Sequence, residues 1–251
     1  MRNRVLFSNA VQAAKTGSIP VSPALEACVF RSQIVVYAGY FDPSKLSKER
    51  LIKHKIVQPN EIRKSSRFEH HLCQLNTPRY RMLLLPPQLQ FVLNANSARN
   101  GSLAIRKVCH MTQLSPDTPL KSASINITWH MWPENGNVAE LSRRMFATRT
   151  NPLHTKFDGS ETFFGTYLSV PQYGGRLKLD VKPVEAHSAD GTEMHLSFSF
   201  NFTRDLPTEN SQAVLQQHLA CWDKAFALTE RIMSDISRKF DAASRKPNKP
   251  K

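Results

Sequence analysis

Strict alternation of apolar and polar side chains near the C-terminal end is the feature that most constrains this fold. The apolar members of the alternation are Met194, Leu196, Phe198, Phe200 and Phe202. A period of two residues is that of a strand with one buried face. Residues 176–182 alternate in the same way, and Asp190-Gly191 between the two segments is a strong turn signal. The pattern predicts two strands paired in an antiparallel hairpin.

A long amphipathic helix is predicted over residues 209–241. Its apolar stripe recurs at alternating steps of four and three residues, at Leu215, Leu219, Trp222, Phe226, Thr229, Met233, Ile236 and Phe240. This spacing places the stripe on one helix face, which must be buried against another element. We therefore predict an α+β protein, with a predominantly antiparallel sheet packed by a long C-terminal helix.

The same order of elements is predicted twice along the chain. The first series is a strand at 31–41, a helix at 44–56, and strands at 79–85, 88–95 and 102–112. The second is a strand at 122–132, a helix at 137–147, and strands at 161–170, 175–184 and 193–203. Residues 57–78 and 148–160 are predicted to be loops, and the basic tail 242–251 to be disordered. We expect two β-α-β-β-β halves, 1–115 and 116–241, and an internal duplication is a hypothesis.

Positive charge is concentrated toward the N-terminal end. The chain of 251 residues has a formal net charge of +14, and residues 1–85 carry 14 Lys and Arg against 5 Asp and Glu. Residues 151–240 carry 9 against 11. A cationic region of this strength attracts polyanions, although charges spread over a solvated surface would serve solubility alone. Both interpretations stay open at this point.

Cations interleaved with aromatic residues mark the candidate nucleic-acid-binding positions. They are Lys53, Lys55, Arg63, Lys64, Arg67, Arg79, Tyr80, Arg81, Arg143, Arg144 and Arg149. Such residues can pair with phosphates and stack on bases. We expect Arg79 and Arg81 to share one strand face, while core packing is the alternative for Tyr80 and Phe68. Arg176, Lys178 and Lys182 line one face of another strand.

Motifs for catalysis, metals and cofactors are lacking in the sequence. No phosphate-binding glycine loop or nucleophile elbow occurs, and Glu69-His70-His71, the densest ligand cluster, has adjacent histidines that do not share a face. We predict no metal and no cofactor, and a nuclease or other enzyme, whose site only the fold would assemble, stays open as a further alternative to the functions below. Met1–Ala14 fits an amphipathic helix better than a targeting signal, no apolar run is long enough to span a membrane, and the four cysteines are scattered. We therefore expect a cytoplasmic protein with no membrane partner.

Three functions are compatible with these features. The first is a non-enzymatic nucleic-acid-binding protein, or the basic subunit of a nucleoprotein complex, with RNA and DNA both open. The second is a protein-assembly subunit that forms oligomers or scaffolds through the C-terminal helix. The third is a binder of a small apolar ligand, because a curved sheet around a long helix resembles the helix-grip architecture in outline.

Overall fold

All strands of the described chain belong to one antiparallel sheet of nine strands. The computed structural model describes residues 25–94, 98–134, 136–148, 150–157, 159–188 and 191–244. The strands are β1 (Leu25–Ala38), β2 (Arg67–Glu69), β3 (Leu72–Asn76), β4 (Tyr80–Leu85), β5 (Gln88–Leu93), β6 (Leu120–Pro133), β7 (Thr166–Gln172), β8 (Gly175–Ser188) and β9 (Gly191–Asp205). Their order in the sheet is β2-β3-β4-β5-β1-β6-β9-β8-β7.

Six α-helices within the described residues accompany the sheet. They are α1 (Lys48–Lys53), α2 (Gly101–Gln113), α3 (Val138–Phe146), α4 (Pro152–Lys156), α5 (Ser211–Leu219) and α6 (Trp222–Ser244). Single turns of 3-10 helix lie at Pro43–Lys45 and Pro59–Glu61. The α+β class and the antiparallel sheet packed by a C-terminal helix are confirmed. None of the described helices combines the length and the apolar character needed to cross a membrane.

One face of the sheet carries the core. Alternate residues of neighbouring strands meet there in register, as in the pairs Ile34↔Ile125 and Ile125↔Phe202. The largest fully buried side chains are Trp129, Trp222, Tyr80, Phe41, Phe91, Phe198, Phe200, Phe202, Ile34, Leu51, Ile56 and Leu75. We call this the helix-covered face, and the opposite surface of the sheet the open face.

Helix α6 lies against the middle of the sheet. The indole Nε1 of Trp129 in β6 donates a hydrogen bond of 3.0 Å to the buried Thr229 hydroxyl, and the Trp129 ring contacts Phe226. Met233 is fully buried along the same stripe. The apolar stripe of the C-terminal helix thus covers the chain's own sheet, as the α+β architecture requires.

The two central strands, β1 and β6, are flanked by similar series of elements. Outward from β1 the order is β5, β4, β3 and β2, and outward from β6 it is β9, β8 and β7, so β2 has no counterpart in the second series. Each central strand leads into a helix, and each strand series ends in a helix, α2 or α5. The division into two halves and their internal duplication remain hypotheses.

Several element boundaries predicted from the sequence were wrong. Residues 102–112 form helix α2 instead of a strand: the side chain of Asn100 caps the backbone N–H of Leu103. The predicted loop 57–78 contains β2 and β3, and the predicted loop 148–160 contains α4. The C-terminal helix is two helices, α5 and α6, and the strand predicted at 161–170 begins at Thr166. Residues 1–24 and 245–251, including the Met1–Ala14 helix and most of the basic tail, lie outside the described residues.

Candidate nucleic-acid interface

Cations from three separate segments come together where α1 meets α2. The ammonium group of Lys107 in α2 donates a hydrogen bond of 3.0 Å to the Lys55 carbonyl just after α1. The Arg79 guanidinium lies 2.6 Å from a carboxylate oxygen of Glu61. We call the whole group the α1–α2 cluster: Lys53, Lys55, Arg63, Lys64, Arg79, Arg106 and Lys107.

The charge of the α1–α2 cluster is compensated only in part. Glu61 is the single carboxylate in residues 53–64, 79 and 106–107, and it is paired with Arg79. Partial burial opposes its ionisation, but the backbone N–H of Gln58 and the Arg79 guanidinium hold the pKa of Glu61 below its ordinary value. The remaining cations therefore lack a carboxylate in these segments.

Crowding of like charges is evident at Lys107. Burial, followed by the charge of the neighbouring Arg106, lowers the pKa of this lysine, and Arg79 acts in the same direction. Glu61 opposes that shift. A lysine surrounded by other cations gains by contact with an anion, because the anion relieves the repulsion.

Arg67 and Arg81 point to a different surface, the open face of the sheet. Arg67 pairs across the strands with Gln74, and Arg81 lines a cavity of about 250 Å³ whose other walls are Gln74, Leu83, Gln90 and Val92. Arg81 thus lies on the opposite face from Arg79, which precedes β4 and contacts Glu61. The expectation that Arg79 and Arg81 share a face was wrong, because Arg79 precedes the extended strand whose alternation was assumed.

Tyr80 is a core residue. Its ring is fully buried on the helix-covered face, stacks on Phe91 with centroids 4.6 Å apart, and donates its hydroxyl to the Ile56 carbonyl. Burial raises the pKa of this phenol above its ordinary value. The proposed contact of Tyr80 with a nucleic acid is therefore wrong, and the core-packing alternative holds for this residue.

Arg143 and Arg144 lie elsewhere, in α3, which packs against β6 and β9. Arg143 donates to the Gly159 carbonyl and lies over the Phe164 ring. Arg144 donates to the Phe240 carbonyl and lies over the Phe240 ring. Both arginines link α3 to neighbouring segments, so they are not part of the α1–α2 cluster. Arg149 lies outside the described residues.

A second cavity lies on the open face and has a volume of about 280 Å³. None of its lining residues was predicted from the sequence as a binding position. Its lining is Phe30, Arg31, Thr128, His130, Val184, Glu185, Ser197 and Ser199. We call it the β1–β9 cleft. Phe30 and Arg31 reach it because the register of β1 against β6 shifts between Val29 and Arg31. A bulge of this kind re-aims side chains, and the alternating sequence pattern does not reveal it.

Histidines and rings occupy one wall of the β1–β9 cleft. The Phe30 and His130 rings are stacked, with centroids 4.1 Å apart, and His130 Nδ1 lies 3.4 Å from His195 Nδ1. The Trp132 ring stacks on the His195 ring, with centroids 4.3 Å apart. Burial, and then the charges of His195 and Arg31, lower the pKa of His130 to about 4. His130 is therefore uncharged at neutral pH.

Metal-binding geometry does not occur among the described residues, which contain no group of three or more His, Cys, Asp or Glu able to hold an ion. His71 instead lies 3.8 Å from Glu69, within the exposed turn between β2 and β3.

Comparisons with known proteins do not add to these observations. No protein-family model matches the chain, and no curated protein matches it either.

Proposed function

We propose that this protein binds nucleic acid without catalysing a reaction on it, either alone or as the basic subunit of a nucleoprotein complex, and that it acts in the cytoplasm. The observation that carries the proposal is the α1–α2 cluster, which holds seven cations from three segments against a single carboxylate, Glu61, that is paired with Arg79. Cationic side chains brought together in this way neutralise phosphates and release their counterions.

Exposure of the cluster supports the same proposal. Lys53, Lys55, Arg63 and Lys64 are exposed. Contacts from such flexible side chains go to the phosphate backbone, which carries no sequence information. We therefore expect binding with little sequence preference and a steep dependence on salt.

Fluorescence anisotropy with a labelled oligonucleotide tests the proposal. The wild-type protein should lose affinity on the order of a hundredfold between 50 and 200 mM salt, because about five phosphate contacts give such a dependence. A variant with Lys53→Gln, Lys55→Gln, Arg63→Gln and Lys64→Gln should bind more weakly at low salt and show a shallower salt dependence.

A matched control removes the same number of charges from α6, with Lys224→Gln, Arg231→Gln, Arg238→Gln and Lys239→Gln. These four side chains are also exposed. The control should retain most of the affinity if the α1–α2 cluster is the interface. Equal losses of affinity in the two variants would mean that net charge, and not the α1–α2 cluster, determines binding. Absence of wild-type binding at 50 mM salt would refute the proposal.

A protein-assembly role is the second candidate, and β7 favours it more than the C-terminal helix does. β7 is an edge strand of the sheet, and its Tyr167, Leu168 and Val170 are exposed apolar side chains without a charged residue between them. Exposed apolar edge strands pair readily with other chains. Light scattering of the dilute protein measures this directly, and a strict monomer would exclude homo-oligomers.

A further inference from the structure

Hydroxyl groups without a side-chain hydrogen bond line the β1–β9 cleft. Along β6 and β9, Asn201 donates to Asn126 and accepts from Thr203, whose hydroxyl also lies 3.2 Å from that of Ser124. These four side chains satisfy one another.

Three hydroxyls next to this network have no such partner. The cleft is lined by Thr128, Ser197 and Ser199, and their hydroxyls make no side-chain hydrogen bond to any other described residue. Thr128 and Ser199 lie opposite each other across the two strands. A polar group inside a cleft requires a partner, which must be water or a ligand.

An exposed ring stands beside these hydroxyls. Phe30 is 52% exposed although it is a large apolar side chain, and its ring is supported by the buried His130. The Arg31 guanidinium lies 5.5 Å from the Phe30 centroid. A supported ring next to a cation is the arrangement by which proteins bind single-stranded nucleic acids, since every base has a face that stacks and every nucleotide has a phosphate.

We propose that the β1–β9 cleft binds one nucleotide of a single-stranded nucleic acid. The base stacks on Phe30 in place of the Arg31 guanidinium, which moves from above that ring to the phosphate, and the edge of the base bonds to the hydroxyls of Thr128, Ser197 and Ser199. The inference rests on the proposed nucleic-acid binding. It adds that the nucleic acid is single-stranded and that one of its bases binds in this cleft.

The size and charge of the cleft agree with a nucleotide. A volume of about 280 Å³ is smaller than the roughly 300–1,000 Å³ typical of sites for drug-sized molecules, which limits the cleft to a single nucleotide. Glu185 is the single carboxylate of the lining, and carboxylates accept hydrogen bonds from the amino group of cytosine. An oligocytidylate is therefore a suitable probe.

Anisotropy with a labelled single-stranded oligocytidylate, and with a duplex of equal length, tests the inference. Phe30→Ala should weaken single-strand binding about tenfold or more, because stacking on an aromatic side chain contributes this much per base. Duplex binding should change less than twofold, since bases within a duplex are stacked on each other. The exposed position of Phe30 makes the variant compatible with folding.

The matched control is Phe157→Ala, which removes another exposed ring far along the chain from the cleft residues of β1. It should leave both affinities unchanged. A Phe30→Ala variant that binds the single strand as tightly as the wild type would overturn the inference and leave the proposed function intact.

A titration with cytidine monophosphate separates the two proposals. Oligonucleotide binding that persists in Phe30→Ala, without mononucleotide binding in the wild type, would refute the inference and keep the proposed function, whereas mononucleotide binding in a protein without affinity for any oligonucleotide would contradict both. If neither the mononucleotide nor the oligonucleotide binds, both proposals are wrong.

Discussion

At the scale of single residues, Gly101 shows how closely α2 and α6 approach. A Cβ atom at this position would lie 2.0 Å from Cδ1 of Trp222, a ring that is almost fully buried. Gly101→Ala gains about 1 kcal/mol of helix propensity, but overpacking a core site costs about 1–3 kcal/mol or more. We expect a net loss in the free energy of unfolding, measured by urea denaturation.

The neighbouring Ser102→Ala is the control, because Ser102 is exposed and bonds only to Asn100. It should change stability by about 0.5 kcal/mol or less. A Gly101→Ala protein as stable as this control would mean that Trp222 moves away at no cost.

Residue-level roles were the part least predictable from the sequence. Residues 79–81 are adjacent in the sequence but lie in three environments. Arg79 forms an ion pair, Tyr80 lies in the core and Arg81 lies on the open face. Nothing local distinguishes them, because Arg79 is placed by Glu61, 18 residues away. The cleft residues were missed for a related reason, since the bulge at Phe30 breaks the period on which face assignments depend.

At the scale of elements, the hydrogen bond between Trp129 and Thr229 joins β6 to α6. Thr229→Val keeps the shape of the side chain but leaves the indole N–H of Trp129 buried without a partner, which costs about 1–3 kcal/mol. Thr229→Ser keeps the hydroxyl and serves as the control. Urea denaturation should find the valine variant less stable than the serine variant, and the reverse order would show that the hydrogen bond contributes little.

Strand prediction succeeded where alternation was long, and failed where the apolar pattern was ambiguous. In β9 and β6 the apolar residues alternate over many positions, so their period of two is clear in the sequence, although polar residues between them, such as His130 and His195, are buried as well. In α2 the apolar residues Leu103, Ile105, Cys109 and Met111 are odd-numbered, which suits a strand. The buried set actually includes Ala104 and Val108, which follow a helical period. Short apolar segments fit both patterns, and only the Asn100 cap favours the helix.

At the scale of the whole molecule, the charge distribution predicted a basic region but not its boundaries. Lys55 and Lys107 are brought together by the fold, through a hydrogen bond that spans 52 residues of the chain. Arg143 and Arg144 were equally basic in sequence, yet they bind carbonyl groups of their own chain. Charge counts therefore identify the region, while the fold selects the side chains that remain available for a partner.

Acid should destabilise the whole molecule before its carboxylates are protonated. The folded-state pKa of His130 is about 4, against an ordinary value of 6.5, and burial lowers that of His218 in the same direction. Between pH 6.5 and pH 4 the unfolded chain binds a proton at His130 that the folded chain does not. The free energy of unfolding therefore falls as the pH decreases through this interval. Glu61 has a lowered pKa, so its stabilising contribution is lost only below about 4.5.

The measurement is the urea midpoint at pH 7 and at pH 5. His130 alone should reduce the free energy of unfolding by about 1–2 kcal/mol over that interval. His130→Gln removes the titrating ring, and its stability should depend less on pH than that of the wild type. A wild-type midpoint that is the same at both pH values would mean that folding does not lower the pKa of His130, and at pH 5 its ring, stacked on Phe30 beside Arg31, would then carry a positive charge.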